Sequence, residues 1–79
     1  MKNLETALSE TISILSKQLN IPVENITEVD LISDLADDSI QLFEILTAFE
    51  NHYHTKVSYE DVVGLETVLD IANYVQQKT

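Results

Sequence analysis

The chain has no cysteine and no arginine, and only one glycine and one proline among its 79 residues. Without cysteine it can form no disulfide, no thiolate metal site and no thiol nucleophile of its own, so the fold must hold by packing alone. Positive charge is scarce as well: four lysines face 14 Asp and Glu, for a formal net charge of -10. That balance disfavours nucleic acid as a direct ligand, because binding it depends on cations that neutralise phosphates and release counterions. Anionic membrane surfaces are disfavoured for the same reason, and basic protein surfaces are the natural electrostatic partners. No apolar stretch of about 7–15 residues marks a signal peptide and none approaches the ~18 of a membrane span, so a cytoplasmic protein with no membrane insertion is expected. Residues 1–79 are expected to form one domain that buries only about 60% of its unfolded surface. So small a domain has little room for both a core and a catalytic cleft, which favours a binding or carrier module over an enzyme.

Leu4, Leu8, Ile12, Leu15 and Leu19 fall at helical spacing and predict a first helix from Asn3 to Leu19, stopped at Asn20-Ile21-Pro22. The connection from Pro22 to Asp37 carries Val23, Ile26, Val29, Leu31, Ile32 and Leu35, too many apolar residues for a disordered linker, so it reads as a structured loop packed on the bundle. A second helix is expected from Asp38 to about Tyr53, with Leu42, Ile45, Leu46, Phe49 and Tyr53 as its buried stripe. Asp38 is its N-cap and Gln41 stands in the capping-box position. Ser58-x-x-Asp61 repeats that pattern before a short helix ended by Gly64. A last helix begins at the cap Thr67 and buries Val68, Ile71, Ala72 and Val75. The expectation is an all-α four-helix bundle, three helices long and one short, with a long structured loop between the first two. Nothing in the pattern supports a sheet.

Three constellations stand out. Asp30, Asp34 and Asp38 have the spacing of an EF-hand start, but Ile32, Leu35 and Gln41 occupy positions that need an oxygen ligand, Gly and Glu. Ser39, Asp38, His52 and His54 hold the residue types of a hydrolase triad, yet thirteen residues of helix separate Ser39 and His52 by about 20 Å, where roughly 3 Å is required. The histidines fit better at the frayed end of the second helix, where the dipole favours a cation, and as a metal pair they lack companions. The third constellation is a second stripe on that helix, Ile40, Phe43 and Thr47 with Glu44 beside them, away from the stripe of Leu42, Ile45, Leu46 and Phe49. Either it packs on the loop or the short helix, or it is a docking patch ringed by Asp34, Asp37, Asp38 and Glu44. Ser39, in the first turn, is either an alternative cap or a hydroxyl placed where free N–H groups and the helix dipole favour an attached phosphate.

The run Asp34-Leu35-Ala36-Asp37-Asp38-Ser39-Ile40, then Glu44-Ile45 and Ala48-Phe49-Glu50, resembles the acyl carrier protein signature, in which Asp-Ser-Leu opens the second main helix. The likeness continues through Val57-Ser58-Tyr59-Glu60-Asp61 and through Thr67-Val68-x-Asp70-x-Ala72-x-Tyr74-Val75, and length and acidity match free-standing carriers of fatty acid synthesis. Ala36 stands where the family usually has Gly, Ile40 where it has Leu, and Gln41 at a position often acidic. Ala36 implies a backbone that does not need positive φ there.

The resemblance implies that Ser39 carries 4'-phosphopantetheine, attached by a Mg-dependent phosphopantetheinyl transferase, with Asp38 capping the helix and positioning Ser39. Ile40, Phe43, Glu44, Thr47, Asp34 and Asp37 are then the partner-binding residues. Leu42, Leu46, Phe49, Val62 and Leu65 line the place where an acyl chain is sheltered. The implied partners are the transferase, acyl transferases and fatty acid synthesis enzymes with basic docking surfaces, meeting a monomer that catalyses nothing itself. A polyketide, D-alanyl or peptidyl carrier is the alternative within the class, and an unmodified acidic adaptor the alternative outside it.

Overall fold

The computed structural model describes residues 3–78. The expected single domain also included Met1, Lys2 and Thr79, which lie outside the described residues. The architecture is all-α, with helices α1 (Leu4–Leu19), α2 (Ile32–Leu35), α3 (Ser39–Tyr53), α4 (Tyr59–Val63) and α5 (Val68–Lys78), and a 3-10 turn at Val23–Asn25. Three long helices were expected and are present. There are two short ones instead of one, because the four residues of α2 are too few to show a helical period.

Helix α1 starts one residue after the expected Asn3, which serves as its cap: the Thr6 N–H donates to Asn3 Oδ1 at 2.8 Å. It ends at Asn20, which takes the left-handed conformation (φ 58), ahead of Pro22. The buried face differs from the predicted stripe. Ala7, Thr11, Ile14 and Leu15 are buried, Leu8, Ile12 and Leu19 are partly buried, and Leu4 is exposed. The reason is that α1 packs along α5 and also against α3, so its covered face is wider than one stripe and centred on a different line. Thr11 satisfies its buried hydroxyl by donating to Ala7 O at 2.7 Å.

The connection after α1 is tied down as expected, though not by all its apolar residues. Ile26 and Ile32 enter the core and Leu35 packs on it, while Val23, Val29 and Leu31 stay exposed. Main-chain bonds do the rest: Ile32 N–H to Glu66 O (2.8 Å), Val68 N–H to Asp30 O (3.0 Å) and Leu69 N–H to Glu28 O (2.9 Å). They flank the isolated Leu31–Thr67 bridge. Backbone pairing of this kind needs no buried side chain, which leaves Val29 and Leu31 free to face solvent.

Helix α3 begins at Ser39, one residue after the predicted start, with Asp38 as its cap; Asp38 Oδ1 accepts the Gln41 N–H at 2.9 Å. Gln41 Oε1 reaches back to the Asp37 N–H, one residue before the capping-box position. Ile45, Leu46 and Phe49 are buried, with Leu42 and Tyr53 half-buried at the margins. The helix end is closed by a cap and a side-chain tie. His54 turns left-handed (φ 53), its N–H donates to Glu50 O, and the Tyr53 hydroxyl donates to Glu10 Oε1 at 2.8 Å, joining α3 to α1.

Ser58 precedes α4 but makes no side-chain cap, contrary to its spacing with Asp61. The Asp61 carboxylate is used elsewhere, accepting the Tyr74 hydroxyl at 2.9 Å. Helix α5 has the predicted cap in both directions: the Asp70 N–H donates to Thr67 Oγ1, and the Thr67 N–H to Asp70 Oδ2, both at 3.1 Å. It buries Val68, Ile71, Ala72 and Val75 as expected. The most enclosed large side chains are Leu15, Ile45 and Val68, one from each long helix.

Two outcomes follow from the helix ends. Hydrogen bonds from the Thr67 and Glu66 N–H groups hold the Asp70 carboxyl below its ordinary range. A carboxyl lowered on folding contributes stability above its unfolded pKa and loses it as pH falls through the folded value. The stability difference between the natural chain and Asp70→Ala, read by urea unfolding, should therefore be constant above about pH 5 and shrink on further acidification. At the other kind of end, His54→Gly should raise stability by about 1 kcal/mol, since glycine adopts the left-handed conformation without the side-chain clash.

Candidate functional site

Ser39 is the first helical residue of α3 and is exposed. Among the described residues its hydroxyl makes no hydrogen bond, and the capping position is filled by Asp38, so the alternative role of Ser39 as cap is not taken up. Leu42 N–H is the first to find an intrahelical acceptor, Asp38 O at 3.2 Å, and Gln41 N–H is held by the cap. The N–H groups of Ser39 and Ile40 remain open at the positive end of the helix, where a phosphoryl group is favoured. The fit for a phosphodiester on Ser39 is good: a free hydroxyl, two open donors and no enclosing wall. The nearby Asp37 and Asp38 are exposed, so solvent and salt screen their repulsion.

Two hollows adjoin this point. A groove of about 400 Å³ is lined by Ser39, Asp38, Leu42 and Ala36 on one side and by Tyr59, Val62, Val63 and Leu65 on the other. Ala36 sits there at φ -96, as the alanine implied. Further in, a void of about 20 Å³ lies among Leu46, Phe49, Val62, Leu65 and their neighbours. Val62 and Leu65 line both, so the groove and the void adjoin along one seam beside α3 and α4, and the void is lined also by Ile71, Tyr74 and Val75 of α5. Of the five residues expected to line an acyl shelter, four meet at the void; Leu42 lines the groove. A larger hollow, about 590 Å³, lies elsewhere, between α1 and the second half of α3, where Ser9, Glu10, Ser13, Lys17, Asn51 and His52 mix with the apolar Ile14 and Ala48.

The second stripe of α3 is resolved in favour of exposure. Ile40 is 69% exposed and Phe43 51%, and the Phe43 ring stacks on Tyr59 of α4 with centroids 4.8 Å apart and planes 16° from parallel. Packing on the short helix therefore accounts for one face of Phe43 and for none of Ile40. Thr47 is exposed, its hydroxyl donating to Phe43 O at 3.0 Å, and Asp34, Asp37 and Glu44 are exposed too. Sequence reasoning missed Tyr59 and Val63, which extend the apolar patch across α4. Their i, i+4 spacing beside the single buried Val62 was the available signal. The charged residues of α2, α3 and the segment between them are all acidic: between Lys17 and Lys56 the sequence holds no lysine or arginine.

Comparison with known proteins places this arrangement. The family described as "Phosphopantetheine attachment site" matches residues 9–75. An acyl carrier protein of Thermotoga maritima is 34% identical, with 99% of this chain and 98% of that protein aligned. One of Buchnera aphidicola subsp. Schizaphis graminum is also 34% identical, over 99% of this chain and 96% of its own. A meromycolate extension acyl carrier protein of Mycobacterium leprae is 38% identical over 71% of this chain and 49% of its own.

Proposed function

The chain belongs to the acyl carrier protein family, whose covalent cofactor is 4'-phosphopantetheine, and on that premise we propose that Ser39 is the attachment residue and that the protein presents acyl intermediates to fatty acid synthesis enzymes. The observation that carries this reading is the exposed Ser39 hydroxyl, without a hydrogen bond among the described residues, at the first position of a helix whose cap is Asp38. When attached, the group supplies the thiol that the chain lacks, on which acyl groups ride as thioesters.

The chain's own residues do four things in this scheme. Asp38 engages the Gln41 N–H, which fixes the start of α3 and leaves the donors of Ser39 and Ile40 for a phosphate. Ser39 contributes only its oxygen to the phosphodiester. Ile40 and Phe43, with Thr47 alongside and the charges of Asp34, Asp37 and Glu44 around them, form the surface offered to basic partners, among them the phosphopantetheinyl transferase and acyl transferases. Leu42, Leu46, Phe49, Val62 and Leu65 give the seam its apolar lining. The protein itself makes and breaks no bond in substrate, acts as a monomer and works in the cytoplasm. Among the described residues no helix is long and apolar enough to cross a membrane.

Incubating the unmodified chain with coenzyme A and a phosphopantetheinyl transferase should add ~340 Da by intact mass, as expected for a phosphate arm placed at a helix N-terminus. Ser39→Ala should add nothing; a gain that survives it moves the attachment site, and no gain in the natural chain leaves the acidic adaptor as the better reading. Glu44→Lys should slow association with the synthase partner and weaken the salt dependence of binding. Unchanged affinity at low salt would remove Glu44 from the docking surface.

A further inference from the structure

Helix α4 has only five residues and one buried side chain, Val62, and its leading Ser58 supplies no cap. So short a helix has no stability of its own, and its position must be set by contacts to its neighbours. Besides the burial of Val62, two side-chain contacts among the described residues tie it to its neighbours. The Asp61–Tyr74 hydrogen bond ties it to α5, and the Phe43–Tyr59 ring stack ties it to α3.

The second link crosses the seam that runs inward from Ser39. Tyr59 and Val62 line the outer groove, and Val62 also lines the inner void. At about 20 Å³ that void is the size of one water-sized probe, so an acyl chain enters only if α4 moves off α3. The stack is the side-chain contact that such a movement must break. Phe43 and Tyr59 are 51% and 41% exposed, so the ring–ring attraction opposes their parting beside the burial of Val62 and the Asp61–Tyr74 hydrogen bond.

We infer that Phe43 and Tyr59 form a clasp across the seam between α3 and α4, which sets how readily the groove beside Ser39 opens into the apolar interior and hence which acyl groups the chain shelters. The sheltering half rests on the carrier reading above; the clasp does not.

The two halves are tested separately. In the unmodified chain, native-state hydrogen exchange follows the N–H groups of Val62 and Leu65, which donate to Ser58 O and Val62 O. Phe43→Leu and Tyr59→Leu keep an apolar side chain but remove the stack. Each should speed exchange at these amides by about two- to ten-fold, the range an aromatic pair allows, with the amides of α1 and α5 unchanged. Exchange at the natural rate in both variants overturns the clasp, whatever Ser39 carries. Faster exchange throughout the chain also overturns it, since the pair would then support the whole fold and not the seam. For sheltering, the chain is loaded from acetyl- and octanoyl-coenzyme A, and the rise in Tm from the acetyl to the octanoyl form is measured. A bound chain stabilises the protein by its burial less the cost of opening, so the rise should be larger in both variants than in the natural chain. An equal rise overturns the specificity role. If the natural chain accepts no arm, the carrier reading and the sheltering role fall together, and the exchange rates still decide the clasp.

Discussion

The main-chain bonds between residues 28–32 and 66–69 are the constraint on which the site depends. They fasten the middle of a long connection to the start of α5, so that Ile26 and Ile32 drop into the core and α2 lies against the same seam that α4 borders. Ser39 follows only a few residues later. If those bonds were absent, the loop would retain much of its closure freedom, and Ile32 and Ala36 would not form a wall beside the first turn of α3. The position of an exposed hydroxyl is thus decided by backbone pairing at some distance from it.

The acidic residues divide into two groups that composition cannot separate. Asp38 and Asp70 cap helices, Asp30 and Glu50 accept the N–H groups of Thr27 and Val57, and Glu10 and Asp61 accept tyrosine hydroxyls. Burial first, and then the hydrogen bond to Glu10, pushes the Tyr53 hydroxyl well above its ordinary range; burial and Asp61 push Tyr74 in the same direction. Both phenols therefore stay protonated donors through the neutral range, and the ties they make do not depend on pH there. Asp34, Asp37 and Glu44 have no such internal task and face solvent around α3. Their mutual repulsion is a cost to the fold that the proposed docking function explains.

The three long helices were legible because each carries its own punctuation. Asp38 and Thr67 cap as their spacing implies, Asn3 marks the start of α1 and caps it, and the apolar residues of α3 and α5 fall on one face each. Helix α1 was read as one stripe, and Leu8, Ile12, Leu15 and Leu19 do reach the core, but it also buries Ala7, Thr11 and Ile14 because it serves two neighbours, a fact that its own period does not contain. Helix α2 left no period at all, and at Ser58 no cap forms, while the carboxylate of its expected companion Asp61 accepts from a residue thirteen positions away. At the site, Ser39 was singled out by its position after Asp38 and by a family resemblance, and Ile40 and Phe43 by a stripe out of phase with the core. The groove and the void beside them became visible only when α4 was set against α3.

The sequence by itself determined the absence of a thiol, the sign of the charge, the helix caps and the apolar faces of α3 and α5, since each depends on composition or on residues within a turn of one another. Only the tertiary structure decided which carboxylates work inside the fold, where Phe43 finds Tyr59, and how the seam beside Ser39 is closed. The physical reason is separation along the chain. Tyr53 and Glu10 lie 43 residues apart, and no local period or propensity records a contact between side chains that meet only when two helices pack.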